Sequence, residues 1–142
     1  MIGKYPAKLD EKNRLFVPAK LRGELGSTFY VTIGSNCGHR CLTVYTEEGW
    51  RKLTDKYDQL PISMKSGATC LLFTNATECN PDKQYRFTLT QNLMAYAGIG
   101  RDVLIVGRAG QADIWDQASY EAFEQEALTP ENLLASLEAI GL

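Results

Sequence analysis

The spacing of apolar and polar residues predicts short strands and amphipathic helices along the whole chain. The segments 29–34 (FYVTIG) and 102–107 (DVLIVG) are rich in β-branched residues and end in glycine, which is typical of strands. Helices are predicted after Thr46 and after Asp116, because both residues are good helix caps. The apolar positions that would pack inward recur at helical spacing: Trp50, Leu53 and Tyr57 in one helix, and Tyr120, Phe123 and Ala127 in the other.

An internal repeat organises these elements. LDEKNRLFVPAKLRGELG at 9–26 aligns with PDKQYRFTLTQNLMAYAG at 81–98, so that Asp10 falls on Asp82 and Arg14 on Arg86. Each copy predicts a strand, a tight D-x-x-x-R turn, a second strand, a short helix from near Pro18 or Thr90, a hairpin and a closing helix. Gly26 and Gly98 are predicted to end the short helices.

The boundaries follow from this pattern. We predict repeat one over about 5–57, a linking helix over about 58–75 and repeat two over about 76–128. A C-terminal helix follows over about 129–140, with Thr129 as its cap. The linking helix is expected to pack Leu71, Leu72 and Phe73 inward, and the C-terminal helix carries an apolar stripe of Leu133, Leu134, Leu137 and Ile140.

The size of each repeat indicates how the halves combine. Four short strands in a unit of roughly 45 residues bury too little surface to be stable alone. No Gly/Ser-rich or Pro-rich linker separates the copies. The sequence therefore predicts an α+β fold in which 1–142 form one intertwined domain, a β-barrel of interleaved repeats with flanking helices.

The net charge of −2 argues only weakly against nucleic acid, because the charges are unevenly distributed. Residues 1–22 carry six basic groups against two acids, and residues 109–142 carry seven acids and no Lys or Arg. This asymmetry is compatible with a basic binding face and equally with an uneven solvated surface. No apolar run approaches the ~20 residues of a membrane span, and the N-terminus lacks a signal-peptide pattern, so we expect a cytoplasmic protein.

Few residues suggest a metal or an active site. Cys37, His39 and Cys41 are residue types that bind zinc, but a fourth ligand is missing and the spacing favours a turn between two strands. We therefore predict no metal and no cofactor, with the cysteines reduced. A single histidine and the absence of a nucleophile elbow, a phosphate-binding loop or a dinucleotide fingerprint argue against an enzyme with a small-molecule substrate.

The residues MIGKY, LDEKNRLFVPAKLR, ATECNPDKQYR and AYAGIGRDVLIVG, in this order, resemble the MraZ family of AbrB-like swapped-hairpin proteins over nearly the whole chain. The resemblance implies a nucleoid-associated bacterial transcriptional regulator of division and cell-wall genes. It implies binding to direct repeats in promoter DNA, by a homo-oligomeric ring without catalytic activity. The family turn is usually D-x-x-G-R, whereas this chain has Asn13 and Tyr85 at the glycine position. Thr90 and Met94 also replace a usual Pro and Arg, so contact of the second repeat with DNA stays open.

The resemblance assigns DNA contact to the arginines of the turns and to neighbouring lysines: Arg14, Arg86, Lys12 and Lys8. Lys20 and Arg22 on the first short helix are further candidates, although a plain solvated helix face explains them equally well. Asp10 and Asp82 are predicted to brace the two turns by pairing with the arginines, which alone would explain the motif. Trp50 and Trp115 are expected in the core. The alternative function is an oligomeric protein-interaction module with the same barrel and no role on DNA.

Overall fold

The structure is a computed structural model that describes all 142 residues, and it confirms the predicted α+β class. The eight strands are β1 Lys4–Lys8, β2 Arg14–Phe16, β3 Phe29–Asn36, β4 His39–Thr46, β5 Thr77–Cys79, β6 Arg86–Thr88, β7 Asp102–Arg108 and β8 Gln111–Asp116. The six helices are α1 Arg22–Leu25, α2 Glu47–Asp58, α3 Ala68–Thr74, α4 Gln91–Ala97, α5 Gln117–Ala127 and α6 Pro130–Ile140. Each repeat thus contributes four strands.

The strands form one antiparallel sheet of six and a separate ribbon of two. The order in the larger sheet is β1-β7-β8-β4-β3-β5, and the ribbon pairs β2 with β6. Strand β1 of the first half pairs with β7 of the second, and β5 of the second half pairs with β3 of the first. The central contact, between β4 and β8, also joins the two halves. Both edges of the sheet and its centre therefore depend on pairing between the two repeats.

The β2–β6 ribbon covers the core with one of its faces. Leu15 and Phe87 are paired across the ribbon and are almost fully buried. Phe87 also meets Phe29 of the larger sheet edge-on, with ring centroids 5.1 Å apart. Because side chains alternate across a strand, the residues on either side of Leu15 and Phe87 lie on the opposite face of the ribbon.

Four helix ends follow the predicted chemistry, whereas the hydroxyl of Thr90, which precedes α4, makes no capping hydrogen bond. Gly26 and Gly98, which end the short helices, have φ of +70° and +61°, a conformation that glycine adopts at little cost. The Thr46 hydroxyl accepts a hydrogen bond from the Gly49 amide at 3.0 Å and starts α2. Asp116 caps α5 in the same way through Ser119.

The two tryptophans differ in burial. Trp115 is 1% exposed and stacks on Phe123 with ring centroids 5.0 Å apart. Trp50 is only half-buried, and its ring stacks nearly parallel on Tyr30 at 4.8 Å, which holds α2 against β3. The predicted place in the core is therefore confirmed for Trp115, whereas Trp50 is only partly buried.

The linking segment differs from the single helix predicted over about 58–75. Helix α2 runs to Asp58, a single 3₁₀ turn covers Ile62–Met64, and α3 starts only after Gly67, whose φ is +67°. The prediction that Leu71 packs inward is wrong, since its side chain is 43% exposed. Consecutive helix residues are about 100° apart, so three in a row cannot all face the core.

Helix α6 is exposed along its whole length. Its exposed residues include the predicted apolar stripe of Leu133, Leu134, Leu137 and Ile140. Thr129 caps it as predicted, accepting a hydrogen bond from the Asn132 amide at 3.1 Å. None of the helices combines the length and the apolar character that crossing a membrane requires.

Candidate nucleic-acid interface

The first D-x-x-x-R turn is organised around one carboxylate. Oδ1 of Asp10 accepts hydrogen bonds from the amides of Lys12 and Arg14, at 2.9 and 2.8 Å. Oδ2 accepts a hydrogen bond from Nε of Arg14 at 2.7 Å. The chain reverses at Asn13, whose φ is +59° and whose amide donates to the Asp10 carbonyl at 3.0 Å. The motif spacing is therefore the spacing of a closed turn in which one Asp binds two amides and one guanidinium.

The second turn repeats this geometry bond for bond. Oδ1 of Asp82 accepts from the amides of Gln84 and Arg86, both at 2.9 Å, and Oδ2 accepts from Nε of Arg86 at 2.9 Å. Tyr85 occupies the reversal with φ +61°, so this bulky residue adopts the conformation that Asn13 has in the first turn. A residue with a branched or aromatic side chain is rare there, and the hydrogen bonds of Asp82 hold it in place.

The hydrogen bonds determine the charge state of both aspartates. Desolvation acts to raise the pKa of Asp10, but hydrogen bonds from Arg14 and Lys12 outweigh it and leave this pKa below its ordinary value. For Asp82 the amide of Arg86 is the largest influence, and the pKa is likewise lowered. Both groups are therefore carboxylates at neutral pH. They bind each arginine only through Nε, so its two terminal nitrogens donate to no protein group.

The ribbon brings the two arginines onto one surface. Arg14 lies opposite Thr88, and Phe16 lies opposite Arg86, in the face that alternates with the buried residues. The arginine side chains are 26% and 24% exposed, and Phe16 is 55% exposed. Because β2 and β6 are antiparallel, the turns lie at opposite ends of the ribbon and the arginines are diagonal neighbours across it. We call this surface, Arg14, Phe16, Arg86 and Thr88, the ribbon face.

The other predicted basic residues are less closely grouped. Lys12 lies within the first turn and Lys20 on the short helical turn after β2, and both are exposed without an ion pair. Lys8 belongs instead to the larger sheet, where its Nζ is 3.8 Å from the Asp102 carboxylate. Arg22 is half-buried and its Nε donates to the Val17 carbonyl at 3.0 Å. Arg14, Arg86 and Lys12 therefore lie in the ribbon and its turns, whereas Lys8 lies in the larger sheet.

Three residues near this surface were not predicted. Lys83 lies exposed within the second turn, and the repeat itself was a sufficient signal for it. The sequence places Phe16 in a strand but does not indicate that its side chain faces solvent. The carbonyl of Arg101 accepts a hydrogen bond from the Leu9 amide at 3.0 Å, which places Arg101 beside the first turn. No local pattern indicated this last contact, because it depends on pairing between β1 and β7.

The cysteine and histidine residues of the β3–β4 hairpin differ in burial and in their partners. Cys37 is exposed at the turn, whereas Cys41 is buried, and burial raises the pKa of the Cys41 thiol to about 12. Nε2 of His39 lies 3.1 Å from the Glu126 carboxylate. The predicted turn between the two strands consists of residues 37 and 38, both with positive φ. No cluster of three or more side chains suited to a metal occurs in the chain.

Comparison with known proteins places this fold in a family. The family model described as "MraZ protein, putative antitoxin-like" matches twice, over residues 1–71 and 72–138. The chain belongs to the MraZ family. The two matches divide it where the internal repeat does, although the strands of the two matched regions pair with each other.

Relatives match over most of the chain. The protein named transcriptional regulator MraZ from Clostridium tetani is 34% identical over 143 residues, covering 99% of both chains. That of Halothermothrix orenii is 35% identical, again over 99% of both chains. That of Ligilactobacillus salivarius is 38% identical over 128 residues, covering 89% of this chain and 87% of the relative. The resemblance to MraZ inferred from the doubled turn is thereby confirmed.

Proposed function

We propose that this chain is a sequence-specific DNA-binding regulator of transcription, and that its ribbon face contacts the duplex. The observation that carries the proposal is the pair of arginines held only through Nε on one exposed face of the β2–β6 ribbon. A guanidinium fixed in this way keeps two terminal nitrogens for a ligand. The names of the MraZ relatives support a regulator of transcription rather than an enzyme.

The chemistry of the ribbon face suits duplex DNA. A two-stranded β-ribbon fits the major groove, which is roughly 12 Å wide. Arg14 and Arg86 would donate to guanine O6 and N7, or to phosphate oxygens at the groove edge. Lys12 and Lys20, exposed without an ion pair, are suited to phosphate, where they add affinity without sequence information.

The finer features of the proposal come from the family resemblance together with the strand pairing. We take the exchange of β1 and β5 between the halves as the swapped-hairpin barrel of the AbrB-like group. The DNA would be direct repeats in the promoter of the division and cell-wall gene cluster, and the protein would lie on the nucleoid. A ring of subunits would engage several repeats at once, so that contacts that are weak singly become strong together.

Helix α6 supports self-association. An exposed helix of 11 residues is marginal in water unless its apolar side is covered. Its stripe covers no part of its own chain, and Glu131 and Glu138 with no basic residue disfavour pairing with another α6. Docking on a different surface of a second copy that does not return the same contact is a head-to-tail arrangement, which is the kind that closes into rings.

Binding to the DNA directly upstream of the protein's own gene tests the proposal. We expect that Arg14→Ala and Arg86→Ala each weaken binding of this duplex by about 10-fold, measured by fluorescence anisotropy at one fixed salt concentration. Arg51→Ala is the matched control, because Arg51 is exposed on α2 and forms no ion pair. Circular dichroism and light scattering check that each variant stays folded and keeps its oligomeric mass. Equal binding by all three variants and the unaltered protein would overturn the proposed interface.

The alternative is a protein-interaction module without a role on DNA. The unpartnered apolar stripe of α6 is the one observation that favours it. The same experiment separates the two functions, because such a module would bind the upstream duplex no better than a duplex of shuffled sequence.

A further inference from the structure

The two turns share a backbone but differ in what packs on them. In the second turn, Arg22 of α1 lies over the ring of Tyr85, with its guanidinium carbon 4.0 Å from the ring centroid. The repeat places Met94 at the position of Arg22 and Asn13 at the position of Tyr85. The first turn therefore has neither the cation nor the ring, and only the second turn carries a stacked pair.

Arg22 is fixed from two sides. Its Nε donates to the Val17 carbonyl at 3.0 Å, and its guanidinium rests on the Tyr85 ring well within the ~6 Å range of a cation–π contact. Val17 joins both partners, since its own amide donates to the Tyr85 carbonyl at 2.8 Å. The three residues form a closed arrangement in which the side chain of Arg22 has little freedom.

The donors of Arg22 are not used up by this arrangement. Its two terminal nitrogens donate to no protein group, and it forms no ion pair with any acid of the chain. Tyr85 is 48% exposed, so the stacked pair lies at the surface beside Arg86 of the ribbon face. A guanidinium that is already oriented loses little freedom when it binds, which suits the two parallel hydrogen bonds that guanine accepts.

The pair also gives a reason for Tyr85. A positive φ favours glycine, so a tyrosine at this reversal gains nothing from the turn alone. Its ring is what positions Arg22.

We propose that Arg22 on Tyr85 is a pre-oriented guanine-binding site that only the second turn possesses. Tyr85 is the positioning residue, and Arg22 makes the contact. The two turns of one subunit would then contact different base pairs, and the second would contribute more to specificity. This inference rests on the proposed DNA-binding function.

A double-mutant cycle tests the site. The proteins are the full-length chain, Arg22→Gln, Tyr85→Gly and the double variant, with Tyr85→Phe retaining the ring. The probes are the duplex directly upstream of the protein's own gene and a duplex of the same length and composition in shuffled order. Asn13→Gly is the matched control, because it introduces glycine at the equivalent position of the first turn. Asn13 has nearly the same φ as Tyr85 but has no aromatic ring.

We expect Arg22→Gln to weaken binding of the upstream duplex about 10-fold and Tyr85→Gly about 5-fold, with little effect on the shuffled duplex. The double variant should bind as Arg22→Gln does, because the ring acts only through the arginine. Tyr85→Phe and Asn13→Gly should bind as the unaltered chain does. Thermal unfolding should show that both glycine variants stay folded, since glycine adopts a positive φ without strain.

Distinct outcomes overturn distinct claims. If Tyr85→Gly binds as well as Asn13→Gly, the tyrosine is only part of the turn and the inference fails while the proposed function stands. If Arg22→Gln weakens both duplexes equally, Arg22 contacts phosphate and the guanine site is wrong. If the unaltered chain does not prefer the upstream duplex, the proposed function fails and this site fails with it.

Discussion

At the scale of single residues, each turn depends on an aspartate that satisfies several donors at once. Asn13 and Tyr85 both occupy the left-handed region, where a side chain costs about 1–2 kcal/mol. The turns nevertheless close identically, because Asp10 and Asp82 each accept two amides and one guanidinium. The same three bonds orient the arginines, so turn formation and presentation of the basic side chains have one cause.

This arrangement predicts an acid-sensitive stability. The pKa values of Asp10 and Asp82 are lower in the folded chain than the ordinary value of 3.8, so the folded state binds fewer protons than the unfolded state in this range. Their contribution is complete above about pH 4 and is lost as the pH falls below it. We expect the stability of Asp10→Asn/Asp82→Asn, measured by urea unfolding, to fall less steeply between about pH 5 and 3 than that of the unaltered chain.

The control for this prediction is Asp58→Asn. Asp58 is exposed at the end of α2 and accepts no side-chain hydrogen bond or ion pair. Its replacement removes a carboxylate without removing a hydrogen bond of either turn, so it controls for the change in net charge. If the stability of Asp10→Asn/Asp82→Asn falls with acid as steeply as that of the unaltered chain, ionisation of the two carboxylates contributes nothing to the stability.

At the scale of elements, the sequence predicts what is local and misses what depends on the fold. The caps Thr46 and Asp116 and the helix-ending Gly26 and Gly98 lie where their chemistry indicates. The exposure of Leu71 follows from helix geometry, since three consecutive residues cannot all face the core, but which of the three is exposed depends on how α3 packs. The place of Arg101 beside the first turn depends likewise on strand pairing between residues almost a hundred positions apart. Lys8 meets Asp102 for the same reason.

Helix α6 supplies a prediction at this scale. We expect Leu137→Asp to lower the oligomeric mass measured by light scattering while leaving the unfolding temperature of the subunit nearly unchanged, because the stripe packs on nothing within the chain. Ala135→Asp is the matched control, since it adds the same charge to the same helix about 160° away from Leu137, on the other face. If both variants lose oligomeric mass, or neither does, the apolar stripe does not form the contact between subunits.

At the scale of the whole molecule, the halves cannot be separated without breaking the sheet. Strands β1 and β5 each pair with the other half, and β2 pairs with β6, so the two turns keep a fixed separation along the ribbon. The seven acids of residues 109–142 lie in or after the β7–β8 hairpin, none of them in the turns or the ribbon. The proposed contact with a polyanion thus involves a part of the chain that is separate from these seven acids.

The most direct test of the ribbon face is photocross-linking to DNA. The photoreactive residue p-benzoylphenylalanine replaces Phe16 of the ribbon face, beside Arg86, or Ile62 in the linking segment, since both side chains are exposed and apolar. With the duplex from upstream of the protein's own gene, position 16 should form a covalent adduct with DNA and position 62 should not. Adducts from position 62 with none from position 16 would contradict the claim that the ribbon contacts the duplex.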